Sequence, residues 1–410
     1  MAASQTLAHA CLNRAATVTS QGVSRAQLRV HGGRMATSTP ARAIRVDLRD
    51  HLVFPGLVNA HEHLHQNAVP PLGSDAPFAN SYEWIEAFQA HFARADVAAA
   101  LVVPKALRLR HGALKNLLAG VTCVAHHDPW HPELDAADFP VALLRGAGWC
   151  YALGWPAFGP DVRESFAATP PGRPWMIHLA EGTDETARQE LALLDSMGCL
   201  APHSVLVHGV GLGEQDIDRI LTVGAAVVWC PSSNLALLGA TLHPRRLHDA
   251  GRLALGADSR LSGARDLLGE FRTALALGEL DAMELLALAT TRSADILRLP
   301  SHGRLAPGSP ADMVIVEDRG GELARSLVGL SRSEIRAVVR AGLPRIADPD
   351  FAGWFNAAGV DTVPVLLDGR PKLLDRALAE PALLAMEPGL EPCAVLRVGE
   401  EPGVREANYS

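Results

Sequence analysis

Residues 53–63 read VFPGLVNAHEH, and this stretch decides the fold prediction because an apolar run ends in two imidazole side chains. Short, continuous apolar runs are typical of buried parallel strands. On an extended strand, residues two apart point to the same face, so His61 and His63 are placed to bind one ion. The stretch therefore predicts a buried strand that presents metal ligands at its carboxyl end.

The same arrangement recurs at four later places in the chain. Apolar runs at 175–177, 205–207, 225–229 and 253–257 are each followed by polar residues. These residues are His178 with Glu181, His208, the run CPSSN at 230–234, and Asp258. In a barrel of alternating strands and helices, side chains just past the strand ends carry the chemistry. The order predicts the α/β class, with a (β/α)8 TIM-type barrel and a metal site at its mouth.

In this order, the clusters resemble the signatures of the amidohydrolase superfamily, specifically its deaminase and chlorohydrolase branch. Residues 55–63 are similar to the family's first-strand motif, and residues 178–181 to its fifth. His208, residues 233–234 and residues 256–259 are similar to the motifs of the sixth, seventh and eighth strands. Residues 303–308 and 311–316 resemble the segment in which the chain of these enzymes passes from the barrel into a small β-domain. The resemblance spans roughly residues 27–345.

Ligand chemistry and the resemblance together predict one divalent metal ion, with zinc as the default and iron or manganese as alternatives. The predicted metal shell consists of His61, His63, His178 and Asp258. A bound ion lowers the pKa of water to about 7, so that hydroxide can attack the substrate. Asp258 can accept the water's proton, Glu181 can pass a proton to the leaving nitrogen, and His208 can polarise the substrate or hold the hydroxide. The alternatives are a helix cap for Asp258 and a core histidine for His208.

Four further residues are candidate substrate contacts: Gln66, Trp84, His127 and Asn234. The resemblance implies that Gln66 binds the amide-like edge of a substrate ring and that Trp84 lines the pocket. His127 ends the strand predicted at 121–125 and can reach the metal region. A solvated loop for Gln66, packing for Trp84 and a simple turn for Asn234 stay open as alternatives. No cluster of arginines marks a phosphate site, so a flat, neutral nitrogen heterocycle or amidine fits best.

A second metal is disfavoured by the lysine positions. Some members of the family bridge two metals with a carboxylated lysine on the fourth strand. This chain has only Lys105, Lys115 and Lys372, and none lies between the predicted second strand and His178. Cys150 is the one alternative bridge, although a buried small hydrophobe is its expected role.

These observations predict a metal-dependent amidohydrolase, specifically an aminohydrolase that releases ammonia from a C–NH2 carbon of a heterocycle or amidine. Hydrolysis of an amide or a cyclic C–N bond is the alternative that the same site allows. A catalytically silent scaffold homologue is a third hypothesis, and the filled ligand positions argue against it.

Composition is in line with a globular enzyme and excludes some other classes. Of the 410 residues, 48% are hydrophobic, which is too many for a disordered chain. The net charge of −8 makes nucleic acid an unexpected partner. Six cysteines without CxxC spacing, no secretory signal and no 18-residue apolar run predict a cytoplasmic protein without membrane spans. A small-molecule substrate is the expected partner, and a homo-oligomer is possible.

Three regions are predicted along the chain. The barrel covers 51–304, and a small β-sandwich domain is built from both chain ends, 1–50 and 305–345. In that domain, strands at 27–33 and 43–48 are expected to pair with 311–317 and 335–339. Residues 346–410 are expected to pack on the barrel as an extension, with a helix over 373–386. Fewer than 60 residues separate 121–125 from His178, so the third or fourth strand–helix unit is expected to be clipped.

Overall fold

A computed structural model describes residues 9–393 except 21, 72, 74 and 75. The chain divides into two compact units. The first comprises Met1–Leu57, Leu114–Thr122 and Ser301–Ser410, and the second comprises Val58–Ala113 and Cys123–Pro300. No helix in the described part of the chain is both long and apolar enough to cross a membrane.

The second unit is built on two sheets. A three-stranded sheet has the order Ala142–Leu143, Val121–His126, Leu57–Glu62. A parallel five-stranded sheet has the order Gly148–Trp149, Trp175–Leu179, Ser204–His208, Ala226–Trp229, Leu253–Leu255. The backbone N–H groups of Ala257 and Asp258 donate to the carbonyl oxygen of His61. These bonds join the end of the strand Leu253–Leu255 in the larger sheet to the strand Leu57–Glu62 in the smaller one.

Burial on both faces explains why these segments form strands. Small and β-branched residues spaced two apart pack into one hydrophobic cluster, which includes Val58, Ala60, Val205, Val207 and Val228. The intervening residues of the same strands are also buried, for example across Ser204–His208. A strand buried on both faces reads as a continuous apolar run, as the sequence analysis assumed.

Helices follow most strands of the second unit. Those of the second unit and its border are Ser81–His91, Ala95–Val102, Lys105–Leu118, Val162–Ala168, Glu185–Ser196, Glu214–Val223, Pro231–Leu238, Arg245–Asp249, Leu267–Leu277, Ala282–Ala287 and Ser293–Ile296. The helix Glu185–Ser196 begins where Asp184 accepts a hydrogen bond from the N–H of Ala187, a normal N-cap. A left-handed Gly224 ends the helix Glu214–Val223.

The region between the second and fifth strands is abbreviated. Only a 3-10 turn, Pro132–Asp135, precedes the two-residue strand Ala142–Leu143, and the next strand, Gly148–Trp149, also has only two residues. Beyond Trp149 the chain leaves the extended ladder, and the carbonyl of Tyr151 instead accepts hydrogen bonds from the backbone and the ring of His178. The strands are therefore short because the chain after Trp149 holds the ring of His178 in place.

The first unit contains strands from both ends of the chain. One sheet has the order Arg34–Met35, Leu28–His31, Ala10–Asn13, Ile44–Asp47. A larger sheet has the order Leu390–Pro392, Thr362–Leu367, Arg370–Asp375, Leu343–Ala347, Ala337–Arg340, Met313–Glu317, His51–Pro55, Ala16–Thr19, Gly22–Ser24. Residues of both sheets share one hydrophobic cluster, including Leu12, Val30, Val46, Ile315 and Val339.

The predicted strand pairing within this unit was wrong. Leu28–His31 and Ile44–Asp47 pair with Ala10–Asn13, whereas Met313–Glu317 pairs with His51–Pro55 and with Ala337–Arg340. The error arose because residues 53–63 form two strands that belong to different units. The chain passes between them at Gly56, where a Cβ atom would lie 2.3 Å from the Thr122 hydroxyl.

The described part of the tail was also predicted incorrectly. Residues after 345 continue the larger sheet of the first unit, and Trp354 and Phe355 of the helix Ala352–Ala358 lie in that unit's hydrophobic cluster. The helix expected over 373–386 is a strand, Arg370–Asp375, followed by the short helix Pro381–Met386. Asp368 and Gly369 both have positive φ and form a two-residue hairpin turn. An Asp-Gly pair between apolar runs is the sequence signal that identifies such a turn.

Replacing Trp354 with alanine is expected to destabilise the protein strongly. The side chain is fully buried, and truncation of a buried tryptophan costs about 3–5 kcal/mol through lost burial and a cavity. Urea unfolding at equilibrium measures the change. The control is Trp130→Ala, because Trp130 is 43% exposed and should lose about 1 kcal/mol or less. Equal losses for the two variants would contradict the structural role of Trp354.

Candidate metal centre

Three histidine side chains converge at the ends of the strands Leu57–Glu62 and Trp175–Leu179. The Nε2 atoms of His63 and His178 are 3.2 Å apart. Asp258 Oδ1 lies 3.8 Å from His61 Nε2 and 3.7 Å from His63 Nε2. Two ligand atoms about 2.0–2.1 Å from a tetrahedral ion are about 3.3–3.4 Å apart. The four predicted ligands therefore lie at nearly the separations that one ion requires.

Hydrogen bonds on the far side of two rings set their orientation. His63 Nδ1 is 2.8 Å from Asp128 Oδ2, and His178 Nδ1 is 2.8 Å from the carbonyl oxygen of Tyr151. Since both partners are acceptors, each Nδ1 carries the proton and each Nε2 directs a lone pair toward the centre. Burial lowers the pKa of His63, but the Asp128 carboxylate outweighs this effect and raises it to about 9.

His61 is oriented by a second imidazole. His127 donates through Nε2 to the carbonyl oxygen of Cys150 at 2.9 Å, so its Nδ1 is an acceptor. That Nδ1 is 3.3 Å from His61 Nδ1, which must donate to it. The remaining nitrogen, His61 Nε2, is fully buried and has no hydrogen-bond partner among the described residues. Burial, followed by the neighbouring histidines, lowers the pKa of His61, which keeps this lone pair free of a proton.

The donor set fits a divalent metal ion. A buried, unpartnered imidazole nitrogen is a costly feature unless it binds something. Here it faces two further imidazole lone pairs and a carboxylate, which are the ligand types that zinc prefers. His208 also comes within ligand range, because its ring nitrogen, His61 and Asp258 offer donor atoms within 4.8 Å of one another. Each of the other rings has a partner that fixes its tautomer, as is usual for metal-binding histidines.

Two serines hold the carboxylate of Asp258. The hydroxyls of Ser233 and Ser262 both donate to Oδ2 at 2.7 Å, which leaves Oδ1 directed toward the histidines. Although burial opposes ionisation, His63, His208 and these hydroxyls keep the pKa of Asp258 below its ordinary value. The side chain is therefore held as a carboxylate in one orientation.

Glu181 and His208 form a pair beside the centre. His208 Nε2 lies 3.5 Å from Glu181 Oε1, while His208 Nδ1 donates to Asn234 Oδ1 at 2.8 Å. Burial raises the pKa of Glu181, an effect that His208 partly offsets. A buried carboxyl group with a raised pKa is suited to holding a proton and passing it on.

The backbone is strained where the strands end. Ala180, His208 and Asp258 have φ values of 52°, 76° and 52°, in the left-handed region that non-glycine residues rarely adopt. All three follow or end strands of the five-stranded sheet. Such outliers tend to cluster at functional sites, where the surrounding structure holds them in place.

A pocket of about 300 Å³ opens beside the centre. His63, His178, Glu181, His208 and Asp258 form one part of its wall. Aromatic and aliphatic side chains form much of the remainder: Trp84, Ile85, Phe88, Phe92, Tyr151 and Phe158. The predicted contacts Gln66 and Trp84 also line it, and their Oε1 and Nε1 atoms are buried without hydrogen-bond partners in the described structure.

Two predicted substrate contacts lie behind the site. His127 is fully buried and holds His61, and Asn234 is 1% exposed and holds His208. Neither is among the residues that line the pocket, and each contacts a histidine of the centre instead. Asp128, Ser233 and Ser262 were not among the predicted site residues, although Asp128 directly follows His127 and Ser233 precedes Asn234. The position of Asp128, two residues past a strand end, was the available signal for its contact with His63.

Asp128→Asn is expected to weaken metal binding by about 10–100-fold, the range typical for loss of a partner that orients a metal ligand. The amide cannot supply the negative charge that holds the Nδ1 proton of His63. Competition with a chromophoric chelator measures the affinity. Asp135→Asn is the control, because Asp135 pairs with Arg145 away from the pocket. Unchanged affinity in Asp128→Asn would contradict the assignment of His63 as a ligand that Asp128 orients.

Comparison with known proteins agrees with this geometry. Residues 167–365 match the profile described as the amidohydrolase family. A 5-methylthioadenosine/S-adenosylhomocysteine deaminase of Nitratidesulfovibrio vulgaris is 27% identical over 338 residues, which cover 69% of this chain and 74% of the relative. An 8-oxoguanine deaminase of Pseudomonas aeruginosa is 27% identical over 350 residues, 67% of this chain and 76% of the relative.

Solved structures show the same fold. An adenosine deaminase from Xanthomonas campestris with bound zinc superposes with a TM-score of 0.68 at 20% identity, covering 86% of this chain and 97% of that one. An atrazine chlorohydrolase mutant from Arthrobacter aurescens, in complex with zinc and atraton, gives a TM-score of 0.66 at 19% identity, with coverages of 82% and 94%. These likenesses imply a TIM-type barrel for the second unit. The resemblance to the amidohydrolase superfamily and its deaminase branch that was found in the sequence is thus confirmed.

Proposed function

We propose that the protein is a metal-dependent aminohydrolase that releases ammonia from a C–NH2 carbon of a nitrogen heterocycle or an amidine. The observation that carries this proposal is the convergence of three imidazole lone pairs and Asp258 beside a buried Glu181. The pocket wall next to them includes the aromatic side chains of Trp84, Phe88, Tyr151 and Phe158, which suit a flat substrate. Matches to enzymes named as deaminases of methylthioadenosine and of 8-oxoguanine support the same reaction class.

We assign His61, His63, His178 and Asp258 as the residues that would hold one divalent ion, with zinc favoured by the nitrogen and oxygen donors. His208 is a candidate fifth donor. Bound there, the ion would polarise a water molecule and make it a nucleophile at neutral pH.

The protein's own residues then handle protons. Asp258 Oδ1 is directed toward the centre and can accept a proton from the attacking water. Glu181, whose pKa is raised by burial, can carry a proton to the leaving nitrogen. His208, held by Asn234, keeps an Nε2 lone pair next to Glu181 and can accept a hydrogen bond from it or from the substrate.

We also propose that the two sheets of the second unit close into one eight-stranded barrel and that both chain ends form a β-sandwich. The hydrogen bonds from Ala257 and Asp258 to the His61 carbonyl support the first proposal. The hydrophobic cluster shared by the two sheets of the first unit supports the second.

The test is ammonia release from a panel of purines, pyrimidines, triazines, pterins, cyclic amides and acyl amino acids, with metal-loaded protein. Ammonia from amino-heterocycles supports the proposal. Ring opening or acyl cleavage without ammonia would assign the alternative, hydrolysis of a cyclic C–N or amide bond. Protein that holds no metal after purification and reconstitution, and turns over nothing, would support a silent homologue.

A further inference from the structure

The pocket beside the metal centre contains an ammonium group that the proposed chemistry does not use. Lys105 begins the helix Lys105–Leu118, and its side chain lines the pocket together with His65, Gln66 and Trp84. It is half-buried, and within the described residues no carboxylate lies at ion-pair distance from it. A cation in a partly enclosed pocket loses hydration and gains from an anionic partner.

The other charged groups of this wall are already engaged. Asp128 accepts from His63, Asp258 accepts from two serines, and Glu181 faces His208. Arg108, one turn along the same helix, uses its guanidinium on the carbonyl oxygens of Val103 and His65. Among the described residues that line the pocket, Lys105 is therefore the Lys or Arg side chain that is left to bind a ligand.

Two further groups in the pocket lack partners. The Oε1 atom of Gln66 and the Nε1 atom of Trp84 are buried without hydrogen bonds among the described residues. Oε1 requires a donor and Nε1 requires an acceptor, and the ring edge of a polar heterocycle offers both. The stacked rings of Trp84 and Phe88, which are nearly parallel, lie in the same wall. The pocket thus combines recognition of a flat ring with a single positive charge.

We propose that the substrate is a planar nitrogen heterocycle that bears a carboxylate, and that Lys105 binds this carboxylate. The inference rests on the proposed function, because it places the heterocycle in the pocket next to the metal centre. A carboxylate fits better than a phosphate for reasons of charge. One ammonium balances one negative charge, and the Asp128 carboxylate in the same wall repels a dianion more strongly than a monoanion.

The experiment measures binding in matched pairs, so that it does not depend on turnover. Metal-loaded Glu181→Gln protein is titrated with cytosine and 5-carboxycytosine, and with adenine and adenin-9-ylacetic acid. Adenosine and adenosine 5′-phosphate form the phosphate arm. A charge-assisted hydrogen bond contributes about 1.5–3 kcal/mol, so at least one carboxylate should bind about 10–100-fold more tightly than its neutral partner.

Variants of the helix test the role of Lys105. Lys105→Gln should bring the ratio of affinities within a pair close to one, and Lys105→Arg should retain the preference for the carboxylate. Arg110→Gln is the matched control, because Arg110 lies on the same helix but pairs with Glu133 and Asp138. It removes the same charge and should leave the ratio unchanged.

The outcomes separate this inference from the proposed function. A carboxylate preference that depends on Lys105 supports the inference even if no ammonia is released, in which case the proposed reaction fails alone. Equal affinity within every pair, no binding of any compound, or a preference that survives in Lys105→Gln overturns the inference. Tighter binding of the phosphate than of the carboxylates overturns the choice of anion.

Discussion

His178→Ala is expected to lose bound metal and turnover together. His178 supplies one of three lone pairs that converge on the centre, and its Nε2 lies 3.2 Å from that of His63. Loss of a partner that merely orients a ligand weakens metal binding by about 10–100-fold, so loss of the ligand itself should exceed about 100-fold. Metal content after dialysis and ammonia release on the same sample measure both effects.

His243→Ala is the control for this substitution, because the His243 side chain is 93% exposed and lies outside the pocket. It should keep the metal content and the turnover of the parent protein. A metal content near one ion per chain in His178→Ala would remove His178 from the shell. Two tightly held ions in the parent protein would contradict a single-metal site and would direct attention to Cys150.

Glu181→Gln is expected to keep the metal and the fold while turnover falls by about 10²–10⁴-fold, the usual contribution of general acid–base catalysis. Glutamine preserves the size of the side chain and its hydrogen-bonding shape but cannot transfer a proton. The geometry supports this separation, since the Glu181 carboxylate faces His208 and the pocket. Single-turnover rates and metal content are the measurements.

Glu185→Gln provides the matched control, because Glu185 is exposed at the start of the following helix. It should leave turnover within about twofold of the parent, as expected for a surface change. Loss of metal in Glu181→Gln would make the carboxylate a ligand. Nearly full activity in Glu181→Gln would contradict the role of Glu181 as the proton carrier, and the proposed deaminase reaction would then lack one.

Strand ends were the part of the structure that the sequence predicted well. Ligand residues followed apolar runs, and the pattern places His61, His178, His208 and Asp258 at or just past strand ends in the structure. This works because a strand buried on both faces has a distinctive composition, and because parallel strands bring their carboxyl ends to one edge. The roles of the individual residues, the cytoplasmic location and the oligomeric state stay predictions.

Contacts distant in sequence were the part that could not be predicted. Nothing local indicates that the Nδ1 of His127 accepts from His61 and not from a substrate, since the two are 66 residues apart. Residues 53–63 likewise divide into the strands His51–Pro55 and Leu57–Glu62, and the close approach of Thr122 to Gly56 between them is visible only in the folded chain. The tail hairpin is different, because the Asp368-Gly369 pair was visible in the sequence and was overlooked.

The left-handed backbone at His208 and Asp258 bears on how natural selection has shaped this chain. A non-glycine residue in that region costs about 1–2 kcal/mol, so the two positions together cost about 2–4 kcal/mol of a net stability of about 5–15 kcal/mol. Next to His208, Gly209 adopts the same conformation without that cost. Glycine at His208 or Asp258 would stabilise the backbone but remove an imidazole or a carboxylate from the centre. At these two positions evolution has favoured reactivity over stability, and a sequence selected only to adopt this fold would differ there first.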